Sequence, residues 1–187
     1  MSAPLTLDAP QHILQLLAEL HQKSLDQEPT ISNKFHIAPG VTPGDLEDRH
    51  RDDSGSGTRN DFDQLMLDKF VALDEDKCCF VYQLINAMGA TNIVEAGTSF
   101  GVSTIYLALA IDKTTAATGK SGVVTATEKE EQKAATARQY WAQCGAAVEQ
   151  QIELRVGNLL ETLKEGLPTI DLLLLDSESS SHTLVLT

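Results

Sequence analysis

The chain has 187 residues, 14 Lys and Arg against 27 Asp and Glu, a formal charge of −13, and 42% hydrophobic residues. That is enough apolar material for the core of one domain, so wholesale disorder is excluded. An acidic chain without a basic cluster lacks the positive footprint that phosphate backbones and anionic membranes select, which argues against nucleic acid or a membrane as partner.

Cys78, Cys79 and Cys144 show no C-x-x-C spacing, so neither a disulfide framework nor a zinc site is expected. The first ten residues carry no basic or apolar leader, and no uninterrupted apolar run is nearly long enough to span a bilayer. The expectation is a cytoplasmic protein with reduced thiols.

In chain order, Asp8 can cap a helix over 9–25 in which Ile13, Leu16, Leu17 and Leu20 recur at helical spacing. We place it in a helical segment, 1–37, outside the main core, where its stripe packs on its own domain or forms a homodimer contact. Residues 38–60 gather Pro, Gly, Ser and mixed charges and read as a linker or mobile loop. The main domain is then 61–187. Phe62, Leu65, Met66 and Phe70 line one helical face, and after Asp74 a second stripe runs through Cys78, Val81, Tyr82, Ile85 and Met88 until Gly89 stops it.

An alternation of strand and helix follows. Strands are expected at 92–95, 122–127, 152–156 and 170–175, and helices at 102–110, 130–144 and 159–164. The last strand ends in four consecutive leucines, as suits burial on both faces. This order implies an α/β fold, a doubly wound, mostly parallel Rossmann-like sheet.

The sharpest motif is Glu95-Ala96-Gly97-Thr98-Ser99-Phe100-Gly101 at a strand end that opens a helix. Gly97 permits a tight turn, Gly101 lets the helix approach the sheet, and the helix N-terminus offers N–H groups to an anion. The spacing is not the G-x-G-x-x-G that seats a dinucleotide pyrophosphate. An acid just before the first glycine suits a ligand with an ammonium beside a carboxylate, Glu95 compensating the cation. Glu128 ends the second strand where a carboxylate accepts hydrogen bonds from ribose hydroxyls, or serves as a first-turn acid. Gly157 and Asn158 end the third strand, and Asp176 leaves the fourth as a base, a metal ligand or a cap. Thr118-Gly119-Lys120-Ser121 imitates a phosphate loop but precedes a strand, so it reads as a turn.

Together, NIVEAGTSFGVSTIYLALA, VVTATEKEEQKAATARQYW, IELRVGNLLETL and IDLLLLD resemble the S-adenosylmethionine-dependent O-methyltransferases of the catechol O-methyltransferase-like family, within the class I methyltransferases. The resemblance implies that Glu95, Gly97, Ser99, Gly101 and Ser103 surround the methionine part of S-adenosyl-L-methionine, that Glu128 holds the ribose, and that Asn158 lies near adenine. It implies that Asp176 is catalytic and binds a divalent cation such as Mg beside the hydroxyl of a small phenolic acceptor. Ser177 to Thr187 do not resemble the family's continuation, so the expectation includes a C-terminally truncated, inactive chain, with Leu184 to Leu186 supplying one substitute strand. Two other readings are a receiver-like domain phosphorylated at Asp176 and an NAD-linked oxidoreductase. The turn after the first strand disfavours the former and the absent second fingerprint glycine the latter.

Overall fold

A computed structural model describes residues 7–35 and 69–176. The expected linker at 38–60, most of the helix expected from Asp61 and the substitute strand near the C-terminus lie outside these residues. The elements are α1 (Gln11–Phe35), α2 (Glu75–Met88), β1 (Asn92–Ala96), α3 (Val102–Thr118), β2 (Val123–Glu128), α4 (Glu131–Cys144), α5 (Ala146–Glu149), β3 (Ile152–Val156), α6 (Leu159–Thr162) and β4 (Leu172–Leu175). None of the described helices is long and apolar enough to cross a membrane.

The four strands are parallel in the order β3-β2-β1-β4. In register, Leu172 and Leu174, Ile93 and Glu95, Val124 and Ala126, and Ile152 and Leu154 share one face. This face lies against the main core, which includes Ile105, Ile111, Tyr82, Ile85 and Trp141 from the helices. The opposite face carries Val94, Thr125, Thr127 and Arg155 and is covered by the segment around α6. There the Arg155 guanidinium donates to the carbonyls of Thr162, Glu165 and Gly166 at 2.8–2.9 Å. Segments on both faces make the sheet doubly wound, as expected.

Several expectations need correction. The N-terminal helix does not stand outside the core: Ile13, Leu17 and Leu20 are fully buried in the same cluster as the sheet. Asp8 does not cap it. Its carboxylate pairs with Lys113 on α3 at 2.9 Å, and the helix begins behind Pro10, whose carbonyl accepts from Ile13 and Leu14. The helix also runs on past residue 25 through Pro29, although an interior proline removes one backbone donor and crowds the carbonyl four residues before it. Helix α3 continues past Ala110 to Thr118 because Ile111 and Thr114 carry its buried face onward, overriding the poor helix propensity of its threonines. Strand β4 is not buried on both faces. Among the described residues it pairs with β1 alone, so it is an edge, and Leu175 is 57% exposed.

Phe70 lies in irregular chain instead of a helix, fully buried, where its N–H donates to Gln27 Oε1 at 2.8 Å. His21 of α1 is hydrogen-bonded to the Tyr106 hydroxyl of α3 at 2.9 Å, a polar tie between two apolar stripes. Burial pushes the His21 pKa down, against the pull of Glu75 and Asp74.

The amino end of the sheet is stitched by Asp171, whose Oδ2 accepts the backbone N–H groups of Thr91 and Asn92 at 2.8 and 2.9 Å and the Thr91 hydroxyl at 3.3 Å. The Thr91 and Asn92 backbone bonds hold its carboxyl below the usual range. A depressed carboxyl stabilises the fold above its unfolded pKa, about 3.9, and loses that contribution as pH falls toward the folded value. The stability advantage of the wild type over Asp171→Asn, measured by urea unfolding, should therefore shrink between about pH 5 and pH 3. An advantage that grows on acidification would remove Asp171 from this role.

Candidate functional site at the carboxyl edge

The sheet is parallel, so all its strands end on one edge, and the predicted residues meet there. Register places Glu95 between Leu174 and Ala126 on the helix-covered face, which leaves its carboxylate no exposure to solvent. Three hydroxyls answer it. Thr98 and Thr104 donate to Oε2 at 2.8 and 2.6 Å, and Ser103 donates to Oε1 at 2.6 Å. Burial pushes the Glu95 carboxyl above its ordinary value, and the bonds from Ser103, Thr104 and Thr98 pull it back. The acid expected to compensate a ligand ammonium is thus a buried group with three donors from the protein itself, and it pins the turn to the first turn of α3.

The turn itself is strongly curved. Gly97, Ser99 and Gly101 all take positive φ, at 95°, 50° and 77°. Gly97 and Gly101 tolerate this without a Cβ, whereas Ser99 needs support from its surroundings. That support comes from Glu128, whose Oε2 accepts the Ser99 N–H at 2.7 Å while Oε1 accepts the Glu130 N–H at 2.8 Å. Thr127 adds two bonds, its carbonyl accepting from Thr98 at 2.8 Å and its Oγ1 from Gly97 at 3.3 Å.

Gly101 is required twice over. A Cβ there would stand 2.6 Å from Trp141 Nε1, and the indole donates that N–H to the Gly101 carbonyl at 3.0 Å.

The third and fourth strands join the same edge. Gly157 donates its N–H to the Glu128 carbonyl at 2.8 Å, and Asp176 donates its own to the Ala96 carbonyl at 2.9 Å. Asn158 caps α6, its Oδ1 accepting the Leu160 N–H at 3.0 Å. The Asp176 carboxylate is open to solvent, yet desolvation by the chain around it raises its pKa, with Lys77 opposing and Asp74 adding to the rise.

Residues 94–186 match the family model described as a methyltransferase domain. The chain carries a methyltransferase domain. Similar solved structures include a putative O-methyltransferase from Klebsiella pneumoniae, 19% identical over 91% of this chain and 55% of that one, TM-score 0.54. Another is the SAH-bound methyltransferase of Podospora anserina, 16% identical over 92% of this chain and 52% of that one, TM-score 0.53. Both share the fold. The Bacillus cereus O-methyltransferase in complex with SAH is 28% identical over 57% of this chain and 46% of that one, TM-score 0.48. The chain thus spans about half the length of these relatives. No curated protein matches it significantly.

Within the methyltransferase domain, sequence reasoning selected the acids, the glycines, Ser99 and Ser103 and missed the two threonines and the indole that help to hold them. Thr98 and Thr104 follow Glu95 at three and nine residues, a cluster of donors around one acid that can be read as its neutralising set. Trp141 lies forty residues downstream of Gly101, and no local pattern connects the two.

Among the described residues, the donor set around Asp176 does not fit a divalent cation. Among the described residues no three His, Cys, Asp or Glu side chains gather as a metal-binding group. Asp74, whose charge reaches Asp176, is already paired with Lys77 at 2.6 Å. A hard cation prefers six or more oxygens, several of them from carboxylates or carbonyls.

Gly101→Ala should cost about 2–4 kcal/mol of stability, combining left-handed strain with displacement of a packed indole. Thermal or urea unfolding measures it. A cost below about 0.5 kcal/mol would show that the turn and Trp141 readily rearrange.

Proposed function

We propose that this chain binds S-adenosyl-L-methionine across the carboxyl edge of its sheet and serves O-methylation of a small, phenolic acceptor. The observation that carries the reading is the Glu128 bridge. One carboxylate at the end of β2 holds the glycine turn through Ser99, and each of its oxygens takes one backbone N–H. A carboxylate offers about four lone-pair positions, so acceptor capacity remains for a pair of ribose hydroxyls. The methyltransferase match over 94–186 supports the same reading and lends none to a receiver or an NAD-linked oxidoreductase.

In this reading Gly97, Ser99, Gly101 and Ser103 shape the seat of the methionine part, with Glu95 supporting them from beneath through Ser103 and Thr104. Glu128 orients the ribose, and the strand end at Gly157 and Asn158 borders the adenine. When bound, S-adenosylmethionine supplies an electrophilic methyl group that an acceptor oxygen displaces in line. The domain contributes chiefly proximity and orientation, which in favourable cases lower a barrier by roughly 7–11 kcal/mol. Asp176 is the candidate base for the acceptor hydroxyl proton, since it is solvent-accessible and its raised pKa brings it nearer to neutrality. The acidic surface suits a small neutral acceptor better than nucleic acid.

Isothermal titration with S-adenosylhomocysteine tests the binding step, and Glu128→Gln should weaken it by about 1–3 kcal/mol through the lost charged acceptor. Absence of binding by the folded wild type at millimolar ligand would overturn the reading. Methyl transfer from labelled cofactor to catechols and phenols, with and without magnesium, tests the acceptor class. Transfer to phenols should be abolished by Asp176→Asn if that residue takes the proton.

A further inference from the structure

Phe100 stands between Ser99 and Gly101, the two positive-φ residues at the centre of the turn. Its ring is stacked on Phe70, with centroids 4.7 Å apart and planes at 28°. Phe70 comes from outside residues 94–186 and is 1% exposed. It is fastened to α1 by the Gln27 bond to its N–H, and Ser24 Oγ accepts the Ala72 N–H at 3.0 Å. Lys23 of α1 places its ammonium 4.4 Å from the Phe70 centroid and donates to the Tyr140 hydroxyl at 3.1 Å, while Tyr140 meets Phe70 edge-on at 6.1 Å. Lys133 lies 5.6 Å from the Phe100 centroid. An aromatic relay under two cations thus runs from the N-terminal helix to the backbone of the turn.

The relay matters because Ser99 is a non-glycine residue in the left-handed region, a conformation that persists only where the surroundings over-determine it. The Phe100 Cα joins two peptides, one bearing the Ser99 carbonyl and the other the Gly101 N–H that donates to the Thr98 carbonyl, and neither can shift far without pulling the docked ring off Phe70. Docking that ring therefore restrains the turn. Resting on the cofactor reading above, we propose that Phe70 is a positioning residue: stacked on Phe100 and clamped by Lys23, it holds the cofactor turn in its binding shape and makes cofactor affinity depend on docking of α1.

The test pairs Phe70→Leu, which keeps apolar volume without an aromatic face, with Lys23→Met, an exposed change with little bearing on folding. In the ligand-free protein, hydrogen exchange at the Ser99 and Gly101 amides should accelerate about three- to tenfold in Phe70→Leu and about twofold in Lys23→Met, with the β2 amides of Val124 and Ala126 unchanged. S-adenosylhomocysteine affinity, read by titration, should fall by matching factors. Ligand should slow exchange along α1 in the wild type and less in Phe70→Leu, because coupling is reciprocal. Unchanged Ser99 exchange in Phe70→Leu overturns the proposal, as does accelerated exchange that leaves a measurable affinity at its wild-type value. Uniform acceleration that includes β2 assigns Phe70 to general packing and also overturns it. If the wild type takes no S-adenosylhomocysteine, the cofactor reading falls and carries the affinity claim with it, whereas wild-type binding with unaltered variants refutes the positioning role alone.

Discussion

A carboxylate sealed in an apolar layer must be answered by hydrogen bonds or it cannot remain there, and Glu95 is answered by three hydroxyls from two different elements. That requirement organises the edge. Thr98 has to sit where the turn folds back over β1, and Ser103 and Thr104 have to occupy the opening of α3. The glycine positions follow from the same need. The chain bends through the left-handed region at Gly97, Ser99 and Gly101, returns the Thr98 hydroxyl to the acid three residues earlier and then enters the helix packed against the sheet. Negative charge near a helix N-terminus is also favoured by the helix dipole, so the site of greatest desolvation coincides with one of compensating field.

Glu128, itself buried, plays the complementary part at the neighbouring strand end. Where Glu95 closes the turn from below, Glu128 ties it to the neighbouring strand end and, through its carbonyl, to Gly157 of the next. Three consecutive strand ends are thereby held in fixed relation by one residue. Arg155 extends the order to the far side of the sheet by gathering the carbonyls that follow α6. The result is an edge whose polar groups are oriented by bonds within the protein, the kind of preorganisation that lets a ligand bind without ordering its own site.

Much of this was legible before any coordinates. Strand β3 falls at its expected residues, β1 and α4 differ by one residue at one end and β2 by one residue at each end, because their apolar periodicity and their glycine stops are local signals. The acids and glycines of the edge were legible for the same reason. What escaped was set by contacts distant in sequence. Asp8 has the chemistry of a cap, yet a lysine 105 residues away claims it. The N-terminal stripe reads as amphipathic, but nothing in its spacing says that the surface it meets is the core beneath α3. Phe70 fits a helical repeat with Phe62 and Met66, whereas burial against Phe100 and α1 places it in irregular chain. The apolar run of β4 reads as a central strand, and its exposure depends on which strands flank it, a property of topology instead of composition.

The chain contains one tryptophan, and it is the residue whose indole N–H is hydrogen-bonded to the carbonyl of Gly101. The residue is 3% exposed. The tryptophan emission of the protein therefore originates from a single chromophore lodged against the turn, in an environment both apolar and hydrogen-bonded. The unmodified molecule carries its own optical reporter, tuned to the geometry of the loop on which its chemistry depends and needing no attached dye.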